Sequence, residues 1–452
     1  MSKLNTGKNN YKELFFLSHG DTNRCKAISI EHVLLLNFYK RYFCFRQSSA
    51  LFAMVLSAEK IRLLSSPGVQ EYIRDNESRD AHQLAFQRTP FEGLDSRDIS
   101  NQVAARQKAK TKLPSWFKTT GVVFPEALSM EQCSSESTAI YKAGLIAPDQ
   151  TIADLTGGLG VDSWALAQKA RHLDYVEQQT YLCDLALENF ATLKVRASVN
   201  NCSLESYLEA WKKKPTAVVF CDPARRNENQ RKVFLLEDCS PDILEIAPGI
   251  LKSHAVFMVK LSPLFDISRL RKSFGHHLRE IHVVAVKNEC KELLILLKPE
   301  EGDCLISAVN LDTTEPAFNV RADTQPNRYK ISDPLVYLYE PNAAIMKSGK
   351  QDFIMERYDV AKLADNSHLY TSSTEIHHFP GRSFRINSIV GLHKNELLQL
   401  IPGKKANISC RNFPLRPEEV AKKIGFSFGG DQYLFATTLS DGKKVVIHCE
   451  RY

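Results

Sequence analysis

Two periods of hydrophobicity divide this chain. Between Ser57 and roughly Leu128 the apolar positions recur every three to four residues, in Ala58–Leu64, Gln70–Arg74, Asp80–Phe86 and Ile99–Lys112. That spacing gives each of several short helices one apolar stripe and one polar face. No β-branched alternation interrupts it before Val122-Val123-Phe124. From Thr151 onward, short apolar runs of strand character alternate with helical ones at the spacing of βαβ units.

The runs predict strands at Ile152–Asp154, Leu173–Glu177, Val195–Val199, Ala217–Cys221, Ala255–Lys260, Ile281–Val286 and Leu293–Leu297, with a helix from Asp162 to Arg171 after the first. Too few residues separate the last two strands for a crossover helix, so they pair antiparallel. A parallel sheet closed by an antiparallel hairpin is α/β and Rossmann-like, and it matches the class I methyltransferase sheet rather than that of the dinucleotide oxidoreductases. Residues 301–380 mix strand-like runs such as Leu305–Val309 with Tyr337–Asn342 and read as a small α+β domain. Gly381 opens a last unit of the same class: strand, helix, strand, helix, then a hairpin around Ser440-Asp441-Gly442. Residues 1–53 surround one apolar run, His32–Phe45, with polar, turn-rich sequence, and Met54 is an alternative start that would leave this segment outside the working protein.

Composition narrows the class. With 43% hydrophobic and 25% charged residues over 452 positions, the chain has the make-up of a folded protein of roughly two to four domains. It contains no apolar run long enough to cross a membrane and no apolar leader after Met1. The eleven cysteines stand singly, without a C-x-x-C pair, which predicts reduced thiols, a cytoplasmic location and no zinc site. The pairs His276-His277 and His377-His378 lack a third ligand at a sensible spacing and read as surface residues. Charge is uneven: Lys and Arg against Asp and Glu give 8 − 3 = +5 for residues 1–53 and 12 − 6 = +6 for 381–452, leaving 39 − 43 = −4 between them. Positive ends beside a non-basic middle suit a polyanionic partner. In Arg106, Lys108, Lys110 and Lys112, followed by Trp116 and Phe117, basic and aromatic residues lie together. They read either as an RNA grip or as a solvated helix face with Trp116 in a domain interface.

The candidate chemistry begins at Asp154-Leu155-Thr156-Gly157-Gly158-Leu159-Gly160, a strand end followed by a glycine turn and a helix. Such a turn brings backbone N–H groups close to a ligand at the helix N-terminus. It departs from G-x-G-x-x-G and so lacks the spacing of a pyrophosphate cradle. Glu177 follows Asp154 by twenty-three residues, at the end of the next expected strand, where a carboxylate can accept both ribose hydroxyls of a nucleoside. At the end of the fourth strand stands Asp222-Pro223-Ala224-Arg225-Arg226. There a proline-fixed turn can present a carboxylate and free carbonyls to a target amine, with the arginines placed for a phosphate. Upstream, Ser134-Ser135-Glu136 reads as a capped helix start whose Ser and Gln neighbours also have the option of facing the ligand. Lys260 suits a phosphate contact or a structural ion pair equally well, whereas Glu340 and Lys347 read as structural.

In order, Glu131–Glu136, Asp154–Gly158, Asp222–Arg226, Lys260-Leu261-Ser262-Pro263 and Asn288–Glu292 resemble the bacterial class I methyltransferases that carry a ferredoxin-like domain and a C-terminal THUMP-like domain. Tyr339–Lys347, His368-Leu369-Tyr370, Phe379–Arg382 and Arg411–Leu415 extend the resemblance to about residues 57–452. It implies an N-terminal extension (1–56), a helical domain (57–130), a methyltransferase domain (131–300), a ferredoxin-like domain (301–380) and a THUMP-like domain (381–452). It implies S-adenosyl-L-methionine as cofactor, held by Gln132, Ser134, Asp154, Thr156, Gly157, Gly158, Gly160, Glu177, Gln178, Ser203 and Asp222. It implies catalysis at Asp222, Pro223 and Arg225, with tRNA or rRNA as partner.

Two departures bear on the reaction. Cys221 precedes Asp222 on the strand, and Leu261-Ser262-Pro263 stands where a Thr-Cys-x-Pro segment would supply a thiolate. Carbon-5 methylation of pyrimidines usually needs that thiolate, so a nitrogen (or oxygen) is the expected target, a base nitrogen first. Ala224 and Arg225 replace the aromatic residue that would stack on a flipped base. A non-catalytic RNA-binding or assembly factor, and a methyltransferase for a protein or small molecule, are the competing readings.

Overall fold

A computed structural model describes residues 56–125, 127–212, 216–225 and 236–452. The N-terminal extension, with the run His32–Phe45 and Met54, lies outside the described residues.

Helices α1 (Ala58–Ser65), α2 (Pro67–Asp75), α3 (Ala81–Leu84), α4 (Ser96–Lys112), α5 (Pro114–Lys118), α6 (Ala127–Gln132) and α7 (Glu136–Gly144) open the described chain. Their starts follow from local chemistry. Ser57, Asp80 and Ser135 cap α1, α3 and α7 through their side-chain oxygens, and Pro67 and Pro114 occupy first positions, where no N–H is needed. A capping box between Asp95 and Asp98 starts α4 three residues before the apolar pattern does. The strand-like run Val122-Val123-Phe124 pairs with no strand. It is wholly buried, and side-chain amides satisfy its backbone instead. Asn189 bonds both the N–H and the carbonyl of Val123, at 2.9 and 2.8 Å, and Gln102 does the same for Phe124, at 2.9 and 2.6 Å.

The large sheet contains β1 (Gln150–Asp154), β2 (Ala170–Glu177), β3 (Ser198–Asn201), β4 (Val218–Cys221), β7 (Val256–Leu261), β8 (Leu278–Val286), β9 (Glu289–Leu297), β10 (Leu305–Leu311) and β11 (Phe318–Arg321). The short pair β5 (Ala224–Arg225) and β6 (Cys239–Ser240) stands apart from it. Strand order is β11-β10-β8-β9-β7-β4-β1-β2-β3. Neighbours from β3 through β7 run parallel, and β9 lies between β7 and β8, antiparallel to both. This is the Rossmann-like class I methyltransferase sheet expected from the sequence. Helices α8 (Val161–Ala167), α9 (Thr180–Thr192), α10 (Leu204–Trp211), α11 (Ile243–Lys252) and α12 (Ile267–Phe274) connect its strands.

Three details differ from the sequence reading. The helix expected to reach Arg171 ends at Ala167, and Ala170 already pairs with Gln150. The third strand starts at Ser198 rather than Val195, because the Val195 N–H turns back to the Phe190 carbonyl and Lys194 sits at φ 58°. Residues 305–321, expected in the ferredoxin-like domain, add β10 parallel to β8 and β11 antiparallel to β10.

The remaining strands form one seven-stranded sheet, ordered β13-β14-β12-β15-β18-β17-β16. Strand β12 (Tyr337–Pro341), helices α13 (Ala343–Ser348) and α14 (Ile354–Arg357), β13 (Ala361–Lys362) and β14 (Tyr370–Ser372) precede the seam. After it come β15 (Gly381–Val390), α15 (Lys394–Leu400), β16 (Lys405–Arg411), α16 (Pro417–Ile424), β17 (Ser427–Thr438) and β18 (Lys444–Arg451). Buried Glu340 of β12 clamps the seam by pairing with Arg382 of β15 and, at 2.6 Å, with Arg411 of β16. Lys347 donates to the Phe265 carbonyl at 2.9 Å, and the N–H of Ala343 donates to Asn288 at 2.7 Å, tying this sheet to the larger one. Of the two options open to Glu340 and Lys347, facing the cleft or holding structure, these contacts fit the structural one, and neither residue lines the cavity at the carboxyl edge of the large sheet.

Candidate functional site

The carboxyl edge of the large sheet carries the site. Strand order sets the side chains in a row: Glu292 on β9, Lys260 on β7, Asp222 just after β4, Asp154 at the end of β1 and Glu177 at the end of β2. Adjacent strands are about 4.8 Å apart, so the stretch from Asp222 after β4 across β1 to Glu177 on β2 spans about 10 Å, the length of a nucleoside. A cavity of about 800 Å³ opens along it. Its walls include Gln132, Ser134, Thr156, Gly157, Gly158, Gly160, Glu177, Gln178, Asp222 and Pro223 from the expected set, together with Asp162 and Lys260.

The turn after β1 is shaped by sterics. A Cβ on Gly157 would lie 2.2 Å from the Tyr175 ring, and Gly160 sits at φ 84°, in the left-handed region, as the N-cap of α8. The Gly158 N–H donates to Glu177 Oε2 at 3.1 Å, while Glu177 Oε1 accepts from the Gln179 N–H at 2.8 Å. Glu177 is thus held at the strand end with its carboxylate on the cavity wall. On the other side of the turn, Thr156 Oγ1 accepts from the Asp222 N–H at 2.7 Å, and Lys260 Nζ donates to Asp222 Oδ2 at 2.5 Å. Burial acts to lower the Lys260 pKa, but the carboxylates of Asp222, Asp162 and Glu292 outweigh it and raise it. The choice left open for Lys260 is resolved toward an ion pair, one that lies inside the cavity wall.

Asp154 is in the row but does not reach the cavity. It is fully buried, accepting from Ser163 Oγ at 2.6 Å and from the Thr156 N–H at 3.1 Å, so it ties the turn to α8. Burial pushes it up to about 7. An acid whose pKa is raised on folding holds its proton more tightly in the folded state. Its contribution is therefore fully present in acid and is lost as pH rises from about 4 through about 7. Asp154→Asn keeps both hydrogen bonds without the charge. Urea unfolding is expected to show it more stable than the parent above pH 7, by on the order of 1–3 kcal/mol, with the difference gone near pH 4. Parallel stability curves across that range would refute the assignment.

Ser203 lies off the cavity: its Oγ accepts from the Ser206 N–H at 3.3 Å and caps α10, while Cys202 and Leu204 on either side face the cavity. Arg225 ends the described backbone at β5; its side chain and residues 226–235 lie outside the described residues. Cys221 is fully buried, and burial drives its thiol well up, so it offers no thiolate. The basic–aromatic stretch grips the protein itself. Arg106 is buried, donates to the Phe117 carbonyl at 3.0 Å and stacks on that ring, and Trp116 packs edge-on to Trp164. Lys112 is bonded to the carbonyls of Met130 and Glu131.

The sequence reading missed Lys142. This fully buried α7 residue binds Glu292 at 2.8 and 3.0 Å and Ser134 Oγ at 3.1 Å, and it lies 3.1 Å from Asp162 Oδ1. Ser134 in turn donates to Asp162 Oδ2 at 2.8 Å. The signal was present: Lys142 shares a helical face with Thr138 and Ala139, where a charged residue needs a buried partner.

The strand order with its one reversed strand is that of the class I methyltransferase fold, and the edge carboxylate, glycine turn and Asp-Pro turn meet around one groove of it. The comparisons agree. Residues 337–380 match a family model described as a ferredoxin-like domain, and 381–451 match one described as THUMP domain-like. The chain is similar to the crystal structure of a candidate methyltransferase from Porphyromonas gingivalis W83, with 29% identity, a TM-score of 0.77, and 88% of this chain and 100% of that one covered. More distant matches are a candidate class I S-adenosylmethionine-dependent methyltransferase from Listeria monocytogenes (11% identity, 56% and 95% covered, TM-score 0.36) and an rRNA methylase from Streptococcus thermophilus (13%, 36% and 95%, 0.27). No curated protein matches the chain. Among the described residues no helix is long and apolar enough to cross a membrane, and no group of three His, Cys, Asp or Glu could hold a metal.

Proposed function

We propose that the chain is an S-adenosyl-L-methionine-dependent methyltransferase acting in the cytoplasm on a base nitrogen of tRNA or rRNA. The observation that carries this reading is the placement of Glu177 and Asp222 on opposite sides of one glycine turn, both lining one cavity. The donor set fits an adenosyl group: Glu177 would take the ribose hydroxyls, and Leu182, Leu204 and Leu208 offer apolar wall for the base. Gln132, Ser134, Thr156, Gln178 and the turn glycines supply the polar remainder of that wall. When bound, the donor supplies an electrophilic methyl group.

The protein's part is alignment. Asp222 and Pro223 would hold the acceptor nitrogen, whose lone pair forms the new N–C bond as the S–C bond breaks and its electrons stay on sulfur. The nitrogen then releases its proton to water. Arg225, at the mouth of the same turn, would meet the adjoining phosphate. The surplus of positive charge in residues 381–452 supports a nucleic-acid acceptor. Isothermal calorimetry with S-adenosyl-L-methionine tests the donor, and mass spectrometry of nucleosides from tRNA and rRNA of cells with and without the gene tests the acceptor. Absence of donor binding rules out the enzyme; an unchanged nucleoside profile rules out the RNA.

A further inference from the structure

Behind the cavity wall on the Asp222 side of the glycine turn, and reaching it at Asp162, Asp222 and Lys260, lies a network with more carboxylates than ammonium groups. Among the described residues, this network has two cations, Lys142 and Lys260. Lys142 is shared between Glu292 and Asp162, and Lys260 is bound to Asp222. Three carboxylates thus face two ammonium groups, 3 − 2 = 1, leaving one negative charge in excess. Ionised Asp154 would add another. The network is dry where it counts: Lys142 has no exposed side-chain surface, Glu292 has 3% and Asp162 has 12%. Asp162 shares the single ammonium group of Lys142 with Glu292, so its charge is only partly met within this network. Lys112, the next cation out, is half-exposed and anchored to two carbonyls, where solvent and salt screen it. On the far side of the turn, Glu177 is already engaged by two backbone N–H groups.

A buried excess of one sign favours a ligand of the other. We propose that the Lys142–Glu292–Asp162 network, with Lys260–Asp222, selects a sulfonium cation over the uncharged thioether left after transfer. Donor and product differ at the sulfur by one methyl group and one positive charge. The wall therefore weakens its hold on the product at the moment the charge is lost, and this speeds exchange. Glu292 and Lys142 act here as positioning residues, setting the field through Asp162 and Lys260 rather than touching the reacting atoms. This inference rests on the methyltransferase reading above.

The test is calorimetric and needs no acceptor. Dissociation constants are measured for S-adenosyl-L-methionine, S-adenosyl-L-homocysteine and sinefungin, which carries a protonated amine in place of the sulfonium. The parent is expected to prefer the two cations by about tenfold, within the range of differential electrostatic couplings. Glu292→Gln removes one negative charge while keeping a hydrogen-bond acceptor for Lys142. It is expected to weaken both cationic ligands about tenfold and the thioether less than about twofold. Asp162→Asn, from the other arm of the network, is expected to do the same, and it serves if Glu292→Gln fails to fold. Equal weakening of all three ligands means a purely structural network and overturns the proposal, as does a parent without preference. A parent that binds none of them overturns instead the methyltransferase reading.

Discussion

Asp222→Ala is expected to lower the turnover of methyl transfer by about 100- to 1,000-fold, the usual loss when one preorganised group is taken from a reacting centre. The structure shows why this carboxylate is preorganised. Its own N–H is fixed to Thr156, one Oδ is bound by Lys260, and Pro223 restricts the backbone that follows. The side chain is 35% exposed, so truncation leaves only a small void, and the unfolding temperature is expected to move by less than about 3 °C. Donor binding is expected to remain measurable, weakened to the same degree as in Glu292→Gln. Asp222→Asn keeps one acceptor oxygen and is expected to recover part of the rate. The measurement is transfer of labelled methyl from the donor to RNA taken from cells that lack the gene. Wild-type turnover in Asp222→Ala would remove this residue from the reaction and shift the reading toward a non-catalytic RNA-binding factor.

The hydrophobic period was enough to place the sheet. Strands buried on both faces read as short apolar runs, and the lack of room for a crossover helix between Val286 and Leu293 pointed to the reversed strand, which the structure starts earlier, at Glu289. Local geometry also made Glu177 and Asp222 legible, because a strand end and a Pro-fixed turn are features of contiguous sequence. What the sequence could not show was partnership across distance. Asp154 looked like a donor ligand, yet it is fully buried and its carboxylate accepts from Ser163 and from its own turn. Ser203 entered the expected donor set through the family resemblance, whereas its position just before α10 makes it a cap. The Lys142–Glu292 pair spans 150 residues, and neither member carries a local pattern that names the other. The same holds for Glu340, whose two arginines come from strands 42 and 71 residues later (382 − 340 and 411 − 340).

A last expectation separates the two adjacent glycines of the turn. Gly157→Ala is expected to abolish measurable donor binding and to destabilise the fold by about 1–3 kcal/mol, the cost of overpacking a closed site. The added Cβ would fall 2.2 Å from Tyr175 Cε2 and 2.5 Å from Cζ. That ring has nowhere to go. It is fully buried, packs edge-on against Phe190 at 5.5 Å between centroids, and its hydroxyl donates to the Gly158 carbonyl at 2.6 Å. To admit a methyl group the turn must lift off Tyr175, which breaks that bond and moves the Gly158 N–H away from Glu177. Gly158→Ala makes a different demand. Its Cβ meets only the Thr156 carbonyl at 3.9 Å, and the cost is that of φ 53° in a residue with a side chain, about 1 kcal/mol. The Gly158 N–H keeps its place against Glu177, so donor affinity is expected to fall by less than about tenfold, the equivalent of 1.4 kcal/mol. Calorimetric titration beside thermal unfolding reads both effects. If the two variants behave alike, Tyr175 is not what shapes the turn, and the donor cleft owes its form to backbone conformation alone.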